Sequence, residues 1–279
     1  MAGFSLDYTR YRVPTDGKFS LGDIGPGDSQ GLVKERDGQE VEERLARVQV
    51  RLDELQHRLF AESKQALLLV LQAMDTAGKD NTIRRVMAPL NPMACRVTNF
   101  KSPSGAERAR DFLWRVHSHI PRKGSIGVFN RSHYEDVLIA RVHGLAPPDL
   151  IDKRYDHIND FERMLNDHGT RIVKVMLHIS KDYQLKRLKR RLKRTDKHWK
   201  FLPDDLRDRE RWDDYMEAYE IMLQRCSTSY APWYVIPAEN RWLRNLIISQ
   251  LLLDNLEDMN PQFPEPQFNP DDYPPEAIT

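Results

Sequence analysis

The sequence predicts an α/β fold, a largely parallel sheet flanked by helices. Three observations predict it. Short apolar runs bounded by turn residues recur along the chain, and amphipathic stretches of helical length separate them. The first such run also leads through a glycine-containing turn directly into a helix. Strands separated by helices of this length need crossover connections, and crossovers make neighbouring strands parallel. With 279 residues, 40% of them apolar, the chain can bury a sizeable core.

Residues 1–37 mix Gly, Pro and charge without period and read as an extended N-terminal arm that packs on the surface or contacts a neighbour. From Glu40 to about Glu62, Val41, Leu45, Val48, Leu52, Leu55 and Leu59 recur at spacings that mark an amphipathic helix. Leu67 to Gln72 is a buried strand, and Lys79 to about Ala88 a helix stopped by Pro89 and Pro92. Arg96 to Phe100 is a strand, Glu107 to Ile120 a helix with Phe112, Val116 and Ile120 on one face, and Ser125 to Asn130 a strand. Helices follow over His133 to Val142 and Asp149 to Asp167, then a strand over Arg171 to Ile179. A basic helix over Asp182 to Arg194, a helix over Arg207 to Gln224, a strand over Tyr234 to Pro237 and a helix over Trp242 to Leu256 complete the core. The organisation is thus an arm (1–37), one core domain (38–258) that includes a highly charged segment at about 182–212, and a proline-rich acidic tail (259–279).

Lys plus Arg (43) and Asp plus Glu (42) nearly cancel, so affinity for a polyanion depends on where the charges sit. The two cysteines, Cys95 and Cys226, have no metal or disulfide spacing and read as small core residues of a protein in a reducing compartment. No apolar run is long enough to span a membrane, and the polar N-terminus has no signal-peptide core. These features point to a cytoplasmic location and no membrane partner. The nine histidines show no HExxH or paired Cys/His spacing. His133 reads as a packing or hydrogen-bonding residue, and Trp114, Trp199, Trp212, Trp233 and Trp242 as core anchors.

In an open parallel sheet, ligands bind at the carboxyl ends of the strands. The turn after the first buried strand is Met74-Asp75-Thr76-Ala77-Gly78-Lys79-Asp80. A Gly-Lys pair opening a helix there is the centre of a phosphate-binding loop: amides around Ala77 and Gly78 face phosphate oxygens and Lys79 neutralises them. The loop departs from the usual GxxxxGK[ST] pattern, with Ala73 for the first glycine and Asp80 where a metal-binding hydroxyl is expected. Asp75 is informative, since a carboxylate in a phosphate cradle repels the ligand unless a divalent cation lies between them. The competing interpretation makes Asp75 a helix cap and Lys79 a solvated cation. Arg84 and Arg85, further along the helix, could reach a second phosphate-bearing ligand or simply be solvated.

A dense polar cluster, Asn130-Arg131-Ser132-His133-Tyr134-Glu135-Asp136, follows the strand Ser125 to Asn130. Asn130 stands where phosphotransferases place a metal-binding carboxylate, and Glu135 or Asp136, just beyond it, could supply that charge. Arg131 suits bridging of donor and acceptor phosphates. A capping box from Ser132 to Glu135 explains the same residues structurally and is compatible with both roles. In the basic helix, Leu185, Leu188 and Leu192 form an apolar stripe, while Lys186, Arg187, Lys189, Arg190, Arg191, Lys193 and Arg194 crowd the rest, extended by Lys197 and Lys200. Such a helix fits a lid closing over phosphates. A nucleic-acid groove is the rival, and no stacking aromatics are interleaved among the basic residues to support it.

LQAMDTAGKDNTIRRV, DFLWRVHSHIPRKGSIGVFNRSHYEDVLIARV, HWKF, RERWDDYMEAYE and YAPWYVIPA together resemble the polyphosphate kinase 2 family over about Phe60 to Leu256. They are most similar to its class III members, which phosphorylate nucleoside mono- and diphosphates. The resemblance implies a P-loop kinase-like (thymidylate-kinase-like) core with a helical lid. It makes Asp75 a metal ligand, Lys79 the phosphate clamp, Arg131 the transition-state arginine and Arg191 a lid arginine near the donor. Other classes place aspartate at Asn130 and asparagine at Glu135, so Glu135 is implied as a second catalytic and metal-binding carboxylate. Ala77, Gly78, Asp80, Arg84, Arg85, Asn130, Arg187 and Lys200 form the expected nucleotide- and polyphosphate-binding set. The implied cofactor is Mg²⁺, with Mn²⁺ as a substitute; the implied partners are inorganic polyphosphate, AMP and ADP/ATP, and further copies of the chain in a dimer or tetramer. The rival functions are an ATP-dependent nucleoside monophosphate kinase and a non-catalytic polyanion- or RNA-binding protein.

Overall fold

The computed structural model describes residues 4–273. Residues Lys34–Glu62 form helix α1, with all six apolar positions of the expected stripe buried. It starts at Lys34 instead of Glu40 because Asp37 accepts from the Val33 N–H (2.7 Å) and, with Glu35, places negative charge on the first turn. The chain continues through β1 (Ala66–Gln72), α2 (Lys79–Val86), β2 (Cys95–Asn99), α3 (Gly105–Arg108), α4 (Trp114–His117), β3 (Ile126–Asn130), α5 (Ile139–Val142) and α6 (Pro148–Asp167). It then forms β4 (Thr170–His178), α7 (Lys181–Leu192), α8 (Asp204–Glu210), α9 (Trp212–Cys226), β5 (Trp233–Pro237) and α10 (Arg241–Met259).

The five strands run parallel in the order β2-β3-β1-β4-β5. The expected α/β class and P-loop kinase-like architecture are therefore observed. β1 is central and buried along its whole length, as a strand covered on both faces must be. α1, α2 and α10 pack together with α10 against β4 and β5, while α5, α6 and α9 form a second helical group with α6 against β4.

Three expected helices are broken. Glu107 to Ile120 is split into α3 and α4 because Asp111 accepts from the Leu113 N–H (3.0 Å) and restarts the chain. His133 to Val142 is a 3₁₀ turn (His133–Asp136) followed by α5, since Ser132 caps a tight turn through the Tyr134 N–H (3.2 Å). Arg207 to Gln224 divides at Arg211, whose guanidinium donates to the Val142 carbonyl (2.5 Å). Cys226 is buried as expected, whereas Cys95 lies half-buried on the edge strand β2. Trp212 and Trp233 anchor the core, but Trp199 is 74% exposed and Trp114 is also exposed.

The N-terminal residues pack on the domain. Val13 N–H donates to the Trp233 carbonyl (2.9 Å), Arg12 makes an antiparallel bridge with Tyr234, and Tyr8 is hydrogen-bonded to Asp254. Tyr11, Val13, Leu21 and Ile24 are buried in the process. This covers β5, which would otherwise present an unpaired edge. Beyond Pro261 most of the tail is exposed.

The second helical group holds a buried ionic network. Lys174 of β4 donates to Glu162 Oε2 of α6 (2.6 Å), to the Tyr134 hydroxyl (2.8 Å) and to the Cys226 carbonyl (2.6 Å). Tyr134 donates to Glu162 Oε1 (2.8 Å), and His133 Nε2 lies 3.2 Å from the same oxygen. All four side chains are almost completely buried. Burial pushes the Glu162 carboxyl up, but Lys174 and His133 outweigh it and hold it below its ordinary 4.5. Glu162→Gln would leave the Lys174 ammonium buried without its counter-charge, so urea unfolding at neutral pH should show a loss of about 3–5 kcal/mol. A carboxyl with a depressed folded value stabilises fully above pH 4.5 and loses that contribution as pH falls through the lower value. The gap between parent and Glu162→Gln should therefore close in acid, and a gap independent of pH would refute this account.

Candidate active site

β1 and β3 are neighbours in register, with Leu71 opposite Asn130, so the loops leaving their carboxyl ends abut. The Arg131 N–H continues the pairing by donating to the Leu71 carbonyl (3.1 Å). Arg131 then adopts φ +62°, a left-handed conformation unfavourable for a side chain of this size, and Thr76 across the gap has φ +72°. In this arrangement Arg131 Nη2 donates to Asp75 Oδ1 (2.7 Å) and Nη1 lies 3.5 Å from Glu135 Oε2. One guanidinium is thus shared by carboxylates from two loops.

Glu135 does not reach back to close a capping box. With its amide turned to satisfy both sides, Gln72 at the end of β1 donates to Glu135 Oε1 (3.0 Å) and accepts from Ser132 Oγ (3.1 Å) and N (3.3 Å). Ser132 is capped by Gln72, and the carboxylate is left facing Arg131. Burial pushes Glu135 above its usual range against the pull of Arg131 and Lys79. At Asp75 burial also opposes the charge, but Lys79 and then Arg131 hold the carboxyl below the usual aspartate range. Glu135, with Asp75 in support, keeps Arg131 above the ordinary arginine range despite its burial. Asp136, the alternative to Glu135, turns away to Arg115 (3.4 Å) and Arg154 (3.9 Å).

Lys79, at the first position of α2, is buried and donates to the Ala73 carbonyl (2.7 Å), which folds it back across its own loop. Burial and then Arg131 lower its pKa, while Asp75, Glu135 and Asp80 favour the charged form. Gly78 has φ +104°, and a Cβ there would lie 3.0 Å from Arg244 Nη1. Arg244 is completely buried and donates to the Ala77 carbonyl (3.1 Å) from beneath the loop. Thr76 Oγ1 is buried with no hydrogen-bond partner in the protein.

The remaining expected residues divide into two groups. Asn130 donates to Asp80 Oδ1 (3.0 Å) and Asn99 Oδ1 (2.7 Å), and Lys200 donates to Asp80 Oδ2 (2.8 Å), linking the lid to α2. Arg191 Nη1 donates to the Lys200 carbonyl (3.0 Å) and Asp205 Oδ2 (3.1 Å), and Arg187 is half-buried one turn before it on α7. Arg85 is not brought to this cluster: it is ion-paired with Glu42 of α1 at the surface. Arg84 beside it is exposed on the surface of α2.

A family model described as polyphosphate kinase 2 matches residues 35–264. The chain belongs to the polyphosphate kinase 2 family. It is 50% identical over 258 residues to an AMP/ADP-polyphosphate phosphotransferase of Meiothermus ruber, covering 92% of this chain and 96% of that protein. An ADP-polyphosphate phosphotransferase of Rhodopseudomonas palustris is 45% identical over 238 residues, covering 79% of this chain and 81% of the relative. The crystal structure of polyphosphate kinase 2 from Arthrobacter aurescens TC1 superposes with a TM-score of 0.90 at 44% identity, covering 96% of each chain.

Four contacts at this family's phosphate loop were not anticipated from sequence: Gln72 to Glu135, Gln184 to the Asp75 carbonyl (3.4 Å), Asp205 to Arg191, and Arg244 to the Ala77 carbonyl. Only Arg244 carried a signal, as a charged residue flanked by Leu243, Leu246, Ile247 and Ile248 on a largely apolar helix. Gly78→Ala forces a side chain into a left-handed position and against Arg244. Guanidinium unfolding should report about 1–2 kcal/mol of lost stability, and a variant as stable as the parent would contradict the assigned geometry.

Proposed function

We propose that this chain transfers the terminal phosphoryl group of inorganic polyphosphate to AMP and to ADP, giving ADP and ATP, in a reversible Mg²⁺-dependent reaction. The observation that carries the proposal is the shared guanidinium: Arg131 held between Asp75 and Glu135, beside Lys79, at the ends of two adjacent parallel strands. The names of the Meiothermus and Rhodopseudomonas relatives support the donor and acceptors.

Asp75 and Glu135 fit a divalent cation. The donors are oxygens, two carboxylates converge on one point of positive charge, and Thr76 Oγ1 in the same loop has no partner in the protein. No group of three or more His, Cys, Asp or Glu side chains able to hold a metal occurs among the described residues. Mg²⁺ suits such a pair because it usually takes its other ligands from water and substrate phosphate; Mn²⁺ could replace it. When bound, the ion screens the repulsion between phosphate chains and polarises the phosphoryl group.

Each residue's task follows from its charge and place. Lys79 leaves the Ala73 carbonyl for a phosphate oxygen, and the amides at Ala77 and Gly78 cradle the same group. Arg131 contacts the oxygens whose charge changes during transfer, and Arg191 approaches from the lid. The attacking oxygen of the acceptor phosphate is already anionic, so no side chain need remove a proton; alignment and charge neutralisation supply the catalysis. Asn130, Asp80 and Lys200 set the position of the lid edge. The same proposal places the chain in the cytoplasm; among the described residues no helix is long and apolar enough to cross a membrane. A homo-oligomer belongs to the same proposal.

Incubation with polyphosphate, AMP and Mg²⁺ should yield ADP first and then ATP, and chelation of the metal should abolish both. Product from ATP but none from polyphosphate would overturn the donor assignment. Arg131→Ala should lower turnover by about 10²- to 10³-fold, read in the same assay; a near-parental rate would remove Arg131 from the mechanism.

A further inference from the structure

The amino ends of β4 and β5 enclose a polar cavity of about 300 Å³, at the end of the sheet opposite to the phosphate loop. Its size is at the lower end of the range for small-molecule pockets. β4 is nine residues long, so at the rise of an extended strand the cavity lies roughly 25 Å from the chemical centre. The polar groups that line it come from five segments: Arg12 from the N-terminal arm, Asn166 from the end of α6, Arg171 from β4, Tyr234 and the preceding Ser229 from around the start of β5, and Asn255 from α10.

These groups are largely without partners. Arg12 is fixed only through its backbone, by the bridge to Tyr234 and by donation to the Thr9 carbonyl (2.9 Å), and its side chain makes no hydrogen bond or ion pair among the described residues. Arg171 donates to Asn255 Oδ1 (3.3 Å) and pairs with Asp258 (2.7 Å), a carboxylate that is itself mostly in solvent. The side chains of Asn166 and Ser229 and the Tyr234 hydroxyl make no hydrogen bond among the described residues. Tyr234 is only 9% exposed.

A buried phenol without a partner is costly unless a ligand or water completes it. Burial raises the Tyr234 hydroxyl above its ordinary 10, while Arg12 first and Arg171 after it pull it back, so both guanidiniums are close enough to act on the same oxygen. Ordinary solvation accounts for Arg12 taken alone. It does not account for two guanidiniums, an amide and two hydroxyls gathered from separate segments around one cavity. The set is rich in donors and positive, which excludes cations and apolar ligands. A phosphate group, with several acceptor oxygens in a tetrahedral arrangement, can accept from both guanidinium forks and from the neutral donors together.

We propose that this cavity is a second anion site, distinct from the transfer centre, which takes the phosphate group of a small phosphate compound between Arg12 and Arg171 with Tyr234 at its floor. Arg12 belongs to the arm that covers the β5 edge, and Arg171 to the strand beside β5. A bound phosphate therefore ties the arm to the sheet by charge, and the order of the arm follows the concentration of the ligand. The site does not depend on the identity of the phosphoryl donor.

Amide hydrogen exchange on the full chain, with pyrophosphate, AMP or adenosine added, reads the two ends of the sheet separately. Pyrophosphate or AMP should slow exchange at residues 12–13 and 171–173, and residues 74–80 report occupancy of the transfer centre in the same sample. Whichever of the two acts at lower concentration identifies the source of the phosphate, free or carried by a nucleotide; adenosine should have no effect. Arg12→Gln and Arg171→Gln should each raise the concentration needed at residues 12–13 and 171–173 by roughly ten- to a hundredfold, the range for a lost charged hydrogen bond. The response of residues 74–80 and the transfer rate should stay near parental in both variants. Asp258→Asn releases Arg171 from its counter-charge and should lower the concentration needed, a gain that a purely structural role for Arg171 does not produce. Protection confined to residues 74–80, protection unaltered in both arginine variants, adenosine as effective as AMP, or weaker binding in Asp258→Asn would each overturn the proposal.

Discussion

The site depends on one backbone constraint, the parallel register that sets Leu71 of β1 opposite Asn130 of β3. It brings the two strand ends together at the same height, and the Arg131 N–H extends the ladder by one more hydrogen bond to Leu71. The chain must then turn sharply, and Arg131 takes a left-handed conformation that directs its guanidinium onto Asp75. Without this register Asp75 would lose the direct hydrogen bond of Arg131 and keep only the more distant influence of Lys79 and Arg191. With it, two half-buried carboxylates, the half-buried Arg131 and the buried Lys79 form a charge-balanced set that a charged substrate can enter by exchange of partners.

The loop after β3 is held in this strained form from behind. Tyr134 and His133 reach into the Lys174–Glu162 network, which ties them to α6 and β4. On the other side Gln72 holds Ser132 and orients Glu135. Groups supported in this way need little rearrangement when charge shifts during phosphoryl transfer, and such preorganisation is the main source of catalysis by fixed charges. The buried ion pair is therefore better understood as a framework for the Arg131 loop than as a source of net stability, since desolvation offsets much of its attraction.

The lid is connected to the loop by polar contacts, not by a packed apolar interface. Lys200 meets Asp80, Arg191 meets Asp205, and Arg209 holds Gln184, which in turn donates to Asp75. Contacts of this kind can be exchanged for phosphate oxygens at low cost, which suits the proposed role of this segment as a cover over the site. Trp199 stays exposed next to Lys200, so apolar packing does not hold this part of the lid down.

Local pattern was enough to predict a parallel sheet flanked by helices and a phosphate loop after its first buried strand, with Asp75, Lys79 and Arg131 as candidates of the site. A buried strand, a glycine and a lysine at a helix start have a meaning that depends on near neighbours in the chain. The breaks at Asp111, Ser132 and Arg211 were hidden because apolar spacing runs on across a turn that a side-chain hydrogen bond imposes. Which arginines face the site was decided only by tertiary structure. Arg85 is taken by Glu42 of α1, and Arg244, far along the chain, arrives beneath Ala77 because α10 packs beside α2. Charge on a helix is legible from sequence; the partner that neutralises it, or its lack of one, depends on contacts between segments that only the folded chain brings together.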